Sequence, residues 1–214
     1  MKYTTFFKTL RESEFFKTNI NRYKTIGVFL IGSRGLNIDN VYSNYDILCI
    51  IDEEEYEEQE SSTWIYNDDE VSWFYCSYND FVNQLNLESP WAITSRIQLG
   101  LAPQDYQIYQ NEEYNEYNYW LFMNRKKLVK PYIKILYNRL KDTLIFPILK
   151  GELTQVYYKT KLLSHLYFCV QFLTHQPVDA DFMFRLKEVK YVSLTNSDRE
   201  LIYSKLKILV ELLS

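Results

Sequence analysis

The sequence has few of the residues that build disulfide frameworks, metal clusters and tight turns. Its 214 residues include only 2 His, 3 Cys, 5 Gly and 5 Pro. Cys49, Cys76 and Cys169 are isolated from one another and form no CxxC pair, so we expect buried reduced thiols and no structural zinc. No run of about 18 apolar residues occurs, so no membrane-spanning helix is predicted.

The composition is instead rich in apolar and aromatic residues, which make up 47% and 17% of the chain. A chain of this kind can bury a large core, and disorder is not expected. Charged residues near the N-terminus interrupt what would be the apolar region of a signal peptide, so we expect a cytoplasmic protein with no membrane partner. The abundance of Tyr, Asn, Lys and Ile fits an AT-rich genome, such as that of a phage or mobile element.

Charge is distributed unevenly along the chain. Residues 1–110 carry 8 Lys and Arg against 17 Asp and Glu, whereas residues 111–214 carry 16 against 11. The hydrophobic pattern changes near the same place, from mostly strand-like to helical periods. We therefore predict an α+β domain at 1–110 and a helical domain at 111–214. Any polyanionic partner is expected to bind the second half.

Short apolar runs predict four strands in the first half. TIGVFLI (25–31) and YDILCIID (45–52) are rich in β-branched residues, and TWIY and EVSWFYCS flank a turn at 67–69. Helical periods precede the first strand, in TTFFKTLRESEFFKT, and return after Tyr78. In the second half, helices are predicted at 112–123, 132–149, 153–174 and 197–213.

The segment GSRGLNIDNVYSNYD, residues 32–46, combines features of a phosphate-binding turn and a cation site. Gly32 allows a sharp turn after the first strand, and the groups near Ser33 can then donate to phosphate oxygens. Asn44 and Asp46 are two residues apart on the next strand, so their side chains share one face. Carboxylates at both positions would hold two Mg²⁺, but Asp46 is the only one of the pair with a carboxylate.

This segment resembles the Gly-Ser and Asp-x-Asp pattern of the DNA polymerase β superfamily of nucleotidyltransferases, with Gly32-Ser33 followed by Asn44-Tyr45-Asp46. GSRG, SPWAITSRIQLGLAPQDYQIY and KTKLLSHLYFCVQFL are similar to segments of the RNA ligase-associated nucleotidyltransferases, so the resemblance extends from residue 25 to about residue 185. It implies a mixed sheet with flanking helices, followed by a C-terminal helical domain. Minimal nucleotidyltransferases that act as antitoxins share the same loop.

The resemblance also implies roles for five residues of the loop. It assigns nucleotide binding to Gly32, Ser33 and Arg34, and a catalytic Mg²⁺ site to Asp46 and Asn44. Asn44 offers a carbonyl oxygen but no charge, so a second metal ion is expected to bind weakly. Two alternatives remain open: the Gly-Ser segment can be an ordinary turn between strands, and Arg34 can contact a carboxylate rather than a phosphate.

The family's third metal-binding carboxylate is expected on the strand EVSWFYCS. Glu70 is the acidic residue there and lies at the edge of the strand, so it is the third predicted metal ligand. Trp73 and Phe74 at the centre cannot bind a cation, and Phe74 is expected to occupy the place of the missing carboxylate. Asp39, in the loop, is an alternative ligand.

Four lysines of the second half are spaced as on one face of a helix, which predicts a basic helical face: Lys127, Lys130, Lys134 and Lys141. Such a face is either simply solvated or binds the RNA backbone of an acceptor. The candidate acceptor-binding residues are therefore Lys127, Lys130 and Lys134.

These expectations define two main candidate functions. The first is Mg²⁺-dependent transfer of an NMP from an NTP to an RNA end or a protein hydroxyl. The second is a catalytically silent protein of the same fold that binds nucleotide, RNA or a partner protein, because loss of one metal-binding carboxylate costs a two-metal mechanism several powers of ten. A third is a plain interaction protein.

Overall fold

In the computed structural model of the chain, the described residues are 2–39, 43–53, 56, 62–83, 90–103, 106–152, 157–187 and 194–214. The chain divides into two compact units, Met1–Val129 and Lys130–Ser214. The domain boundary predicted near residue 110 falls within the first unit and stays a prediction. Within the described part of the chain, no helix has the length and apolarity needed to cross a membrane.

The first unit is built around a five-stranded mixed sheet with the strand order β3-β4-β2-β1-β5. β1 is antiparallel to β2 and β5, β2 is parallel to β4, and β3 is antiparallel to β4. The prediction of an α+β fold with a mixed sheet and flanking helices is therefore confirmed. The strands are β1 (Thr25–Ile31), β2 (Tyr45–Ile51), β3 (Ser62–Tyr66), β4 (Asp69–Ser77) and β5 (Gln107–Gln110).

The helices of the first unit precede, interrupt and follow these strands. The N-terminal segment, predicted as one helix, is two helices divided at Ser13. Ser13 has an extended backbone, and its hydroxyl accepts a hydrogen bond from Phe16 N at 3.1 Å, so it ends the first helix and caps the second. The helices are α1 (Thr4–Glu12), α2 (Glu14–Ile20), α3 (Gly32–Gly35), α4 (Tyr78–Asn83), α5 (Pro90–Leu101) and α6 (Asn115–Asn124).

One face of the sheet forms the core with α1 and α2. Ile47 and Trp73 are fully buried there, and Trp73 meets the ring of Phe16 edge-on at 5.7 Å. Tyr45 belongs to the same core and stacks on Phe6 with ring centroids 3.8 Å apart. Because side chains alternate along a strand, Asp46 and the other even-numbered residues of β2 face the opposite side of the sheet.

The second unit is helical. The segment predicted as one helix at 132–149 is α7 (Val129–Leu140), which begins at the unit boundary, then a π-helical stretch (Lys141–Ile145) and α8 (Phe146–Leu149). α9 (Tyr157–Leu173) packs against α10 (Ala180–Lys187) and α11 (Asn196–Leu213). Thr195 and Asp198 form a capping box at the start of α11, because each side chain accepts a hydrogen bond from the other residue's backbone N–H.

The three cysteines are free and buried, as predicted. Burial raises the pKa of Cys49 to about 12, and it does the same for Cys169. A thiolate is disfavoured at these two positions, so neither thiol is a candidate nucleophile at neutral pH.

Candidate functional site

The predicted site residues come together at one end of the sheet. Because β1 is antiparallel to β2 and β2 is parallel to β4, the C-terminus of β1 lies at the same end as the N-termini of β2 and β4. The Gly32–Ser33 turn follows β1, Asp46 is the second residue of β2, and Glu70 is the second residue of β4. Three segments distant in sequence therefore supply one site.

Gly32 lies directly against the carboxylate of Asp46. Its φ angle is +68°, a backbone conformation that favours glycine. A Cβ at Gly32 would lie 2.0 Å from Asp46 Oδ2 and 2.8 Å from Asp46 Cγ. The pairing of Ile31 with Asp46 across β1 and β2 causes this approach, because Gly32 is the next residue along the chain. Both the backbone angle and the carboxylate therefore require glycine at this position.

On the other side of Asp46 lies Ser72 of β4. The parallel register pairs these two residues, and Ser72 is 7% exposed. Its hydroxyl donates a hydrogen bond of 2.9 Å to Oε1 of Glu70, which is exposed and on the same face of β4. Glu70 therefore points to the same side of the sheet as Asp46, as a third ligand requires.

The structure corrects the expectation for Phe74. Phe74 pairs with Leu48, two residues beyond Asp46, and Trp73 points into the core on the opposite face. Ser72 is the residue of β4 that occupies the place next to Asp46. The expectation that Phe74 fills that place was wrong, because the register between β2 and β4 could not be read from either strand alone.

Asn44 is exposed and lies two residues before Asp46. β2 begins at Tyr45, which pairs with Val71, so Asn44 lies one residue before the paired segment and Glu70 one residue before Val71. The candidate donors are thus two carboxylates and one amide oxygen. Among the residues that the structure describes, no group of three or more His, Cys, Asp or Glu side chains could hold a metal ion.

This donor set fits one Mg²⁺. Mg²⁺ is commonly held by one or two carboxylates while water and substrate phosphates complete its octahedron. The Asp46 carboxylate lies directly against the Gly32 turn, with Oδ2 2.0 Å from where a Cβ of residue 32 would be. Two carboxylates and one amide are too few protein ligands for a second Mg²⁺.

Arg34 is held by partners within the protein. Its Nε donates to the carbonyl of Ser43 at 2.8 Å, its Nη2 donates to Asp69 Oδ2 at 2.8 Å, and its guanidinium lies 4.0 Å from the ring centre of Tyr45. The side chain is only 11% exposed. Of the two alternatives for Arg34, the structure contains the contact with a carboxylate. The role of Arg34 in nucleotide binding stays a prediction.

Ser33 is half-buried, and its carbonyl accepts a hydrogen bond from Ile38 N at 3.0 Å, which closes the turn after β1. The alternative ligand Asp39 is engaged elsewhere, since Lys2 Nζ donates to its two oxygens at 2.6 and 2.9 Å. Burial alone raises the pKa of Asp39, but hydrogen bonds from Lys2 and Tyr3 outweigh burial and hold its pKa below the ordinary value.

The three predicted acceptor-binding lysines are all exposed, but they do not belong to one regular helix. Lys127 lies in a 3₁₀ segment (Arg125–Leu128) of the first unit and donates to Asn124 Oδ1 at 3.0 Å. Lys130 and Lys134 lie on α7 in the second unit. The 3.6-residue spacing that suggested one face therefore does not apply across the segment, and the acceptor role of these lysines stays a prediction.

A buried ionic group was not predicted. Arg96 of α5 is fully buried; its Nη2 lies 3.2 Å from Tyr56 Oη and 4.0 Å from Asp80 Oδ2. The hydroxyl of Tyr56 also donates to Asp80 Oδ2 at 2.8 Å. Asp80 follows the C-terminus of β4, at the opposite end of the sheet from Asp46. The signal in the sequence was an arginine within the apolar helix WAITSRIQL.

No protein-family model and no curated protein matches the sequence. Among solved structures, the chain is similar to a nucleotidyltransferase-like protein from Exiguobacterium sibiricum, with 16% identity, a TM-score of 0.35, and coverage of 96% of this chain and 73% of that chain. A similarity of this level establishes neither a family nor an activity.

Proposed function

We propose that the protein is a Mg²⁺-dependent nucleotidyltransferase that moves an NMP from an NTP to an acceptor hydroxyl. The observation that carries this proposal is the contact between the Gly32 turn and Asp46, where a Cβ would lie 2.0 Å from the carboxylate oxygen. An enzyme of this class needs a turn that receives phosphates beside a carboxylate that holds their cation. The closeness of Gly32 to Asp46 supports both requirements at once.

The phosphate-binding part of the proposal rests on Gly32 and Ser33. The first backbone N–H groups of a helix have no carbonyl acceptor within that helix. In the short helix after β1 such N–H groups would be able to donate to a phosphate. A glycine with a positive φ lets such amides turn toward one point, and the Ser33 hydroxyl is a further donor. These donors would bind the leaving pyrophosphate.

The metal-binding part rests on Asp46 and Glu70, with Asn44 as a neutral ligand. Mg²⁺ bound there would neutralise charge on the transferred phosphate and on the leaving group. Asp46 is half-buried between Gly32 and Ser72, so the backbone turn and the neighbouring strand restrict its rotamers. A restricted carboxylate holds a cation in one position without a large entropy cost.

The proposed reaction is an in-line displacement at the α-phosphorus of the NTP. A new bond forms between the acceptor oxygen and the α-phosphorus, and the bond from that phosphorus to the β-phosphate oxygen breaks. Pyrophosphate leaves with the bonding pair, and the acceptor proton passes to solvent. The protein's contribution is to align the two oxygens and stabilise the developing charge.

The second candidate is a silent protein that binds nucleotide without turnover. Two observations favour it: Asn44 replaces a carboxylate, and Arg34 is already paired with Asp69 at 2.8 Å. In this case the Gly32 turn would still bind Mg²⁺–NTP, but the acceptor oxygen would not be activated.

Thermal unfolding with each NTP and Mg²⁺, followed by transfer of label from α-labelled NTPs, tests both candidates. A bound nucleotide at about 100 times its Kd adds about 2.7 kcal/mol to the unfolding free energy. We expect Asp46→Asn to abolish the Mg²⁺-dependent shift and all transfer, whereas Asp142→Asn, an exposed carboxylate of the second unit, should change neither. A shift without transfer selects the silent binder, and the absence of any shift rejects both candidates.

A further inference from the structure

The order of the strands suggests the direction from which an acceptor reaches the site. Across the sheet, the Gly32 turn at the end of β1 is followed by Asp46 on β2, then β4, then β3 at the edge. In an in-line displacement the attacking and leaving oxygens lie on opposite sides of the phosphorus. If the pyrophosphate lies at the Gly32 turn, the acceptor must approach Asp46 from the side of β4 and β3. This step rests on the proposed function.

On the acceptor side of the sheet, β3 and β4 carry exposed side chains on the same face as Asp46. Thr63 pairs with Ser72 and Ile65 pairs with Glu70 across β3 and β4, so both β3 residues share the face that carries Asp46. Thr63 is exposed, and 61% of Ile65 is exposed, although Ile65 is a large apolar residue. Adjacent strands lie about 4.8 Å apart, so β3 is about 10 Å from β2. We call Thr63, Ile65 and Glu70 the acceptor surface.

The strand that carries this surface also has a free edge. β3 is the last strand of the sheet, and among the described residues no strand pairs with its outer side. An edge strand offers backbone N–H and C=O groups that an extended polypeptide can pair with. The exposed Ile65 side chain adds an apolar contact for such a segment. A polypeptide therefore uses both features of β3, whereas a nucleic acid would use neither backbone pairing nor an isolated aliphatic side chain.

The charge near this surface also distinguishes a polypeptide acceptor from an RNA acceptor. At the end of the sheet that carries Asp46, the described residues of β2, β4 and the turn before β4 include four carboxylates, Asp46, Asp68, Asp69 and Glu70, and the basic residue near them is Arg34. Arg34 is paired with Asp69 at the start of β4, so it adds no free positive charge beside the acceptor surface. RNA binding depends on Lys and Arg contacts to phosphates, and this region would repel a polyanion. A segment with its own Lys or Arg residues would be attracted.

We propose that the acceptor is a basic polypeptide segment that pairs with the free edge of β3 and presents a Ser, Thr or Tyr hydroxyl to Asp46. The segment contacts Ile65 with an apolar side chain, and its Lys or Arg residues lie near the exposed Asp68 in the turn between β3 and β4, since Glu70 is a proposed Mg²⁺ ligand. The reaction then forms a phosphodiester between that hydroxyl and the NMP. The lysines at 127, 130 and 134 have no part in this assignment.

Binding is measured first because it does not depend on turnover. Three fluorescent probes are compared. Two are peptides of equal length, each with one Ser, one Thr and one Tyr; the charged residues of the basic peptide are Lys and Arg, and those of the acidic peptide are Glu. The third is an RNA oligonucleotide with a free 3′ hydroxyl. We expect the basic peptide to bind at least about tenfold more tightly than the other two at low salt, and less tightly as salt is raised.

The substitution Ile65→Lys tests whether the peptide binds at the acceptor surface. Measured without Mg²⁺ or NTP, it should weaken binding of the basic peptide about tenfold, through like charge and loss of the apolar contact. The matched control is Tyr119→Lys, which adds the same charge at an exposed residue of α6, 67% accessible, and should leave peptide binding unchanged.

The outcomes separate this inference from the proposed function. Equal or tighter binding of RNA or the acidic peptide, or an equal effect of both lysine substitutions, would overturn the acceptor surface even if NMP transfer is found. Basic peptide binding that depends on Ile65, with no transfer from any NTP, would support the surface and reject the transferase. Transfer to the basic peptide that is lost in Ile65→Lys through a raised KM would support both.

Discussion

Substitution of Gly32 by alanine tests the contact on which the site depends. Alanine at φ +68° adopts a left-handed conformation, which costs about 1–2 kcal/mol. Its Cβ would also lie 2.0 Å from Asp46 Oδ2, so the carboxylate must leave its rotamer. A displaced rotamer costs about 0.5–1.5 kcal/mol, which brings the expected loss of unfolding free energy to about 1.5–3.5 kcal/mol.

Gly151 provides a matched control. Its φ angle is +72°, but a Cβ there would meet nothing within 4 Å. Gly151→Ala should therefore lower the unfolding free energy only by the cost of a left-handed alanine, about 1–2 kcal/mol. Alanine also lowers the entropy of the unfolded chain relative to glycine, but this effect is the same in both variants. The excess for Gly32→Ala over Gly151→Ala isolates the contact with Asp46.

The assay is urea unfolding followed by circular dichroism, together with tryptophan fluorescence for the first unit, where all 4 Trp residues lie. In an Asp46→Ala background the clashing Oδ2 and Cγ atoms are absent, so most of the excess for Gly32→Ala should disappear. Equal losses for Gly32→Ala and Gly151→Ala, or an excess that persists without the Asp46 carboxylate, would refute the proposed contact.

Three further outcomes are expected. Arg34→Lys should lower the unfolding free energy by about 1–2 kcal/mol in urea titrations, since lysine cannot replace the guanidinium contacts with the Ser43 carbonyl, Asp69 and the Tyr45 ring; unchanged stability would contradict this. A hydrogen bond from Arg185, and a second from the backbone of Thr195, lower the pKa of Asp198 in the folded protein. The carboxylate therefore stabilises the fold at pH values above its unfolded pKa of about 4, and this stabilisation is lost as the pH falls through the lower folded pKa. The stability difference between wild type and Asp198→Asn should therefore shrink as pH falls below about 5, and a constant difference would exclude this linkage. Cys49 and Cys169, whose pKa burial raises to about 12, should react with a thiol reagent at pH 8 only after urea is added.

The parts of the site that depend on neighbouring residues in the chain could be predicted from the sequence. β1 matches the predicted run at 25–31, because an apolar β-branched segment that ends in glycine has few other conformations. The positive φ of Gly32 follows from the same local rules. Asn44 lies before the first residue of β2, so its shared face with Asp46 stays a prediction. The hairpin between β3 and β4 is of this kind too, since Asn67 and Asp68 both adopt positive φ.

The partners of these residues were decided by the tertiary structure. Whether Ser72 or Phe74 lies beside Asp46 depends on the register of two strands that 17 residues (52–68) separate, and a shift of two residues leaves each strand's own pattern unchanged. The short strand β5 likewise forms because β1 offers it a free edge, since QIYQ by itself carries little strand signal.

Arg34 shows the same division between local and distant determinants. Its position after Gly32 could be read as a phosphate ligand or as an ion-pair partner, and both readings fit a guanidinium. The ion pair forms with Asp69, 35 residues away, because the pairing of β4 with β2 brings that carboxylate to the same end of the sheet, and the phosphate-binding role of Arg34 stays a prediction. Local sequence determined which groups are available at this site, and the strand register determined which of them meet, because hydrogen-bonded pairing between strands is a property of the assembled sheet.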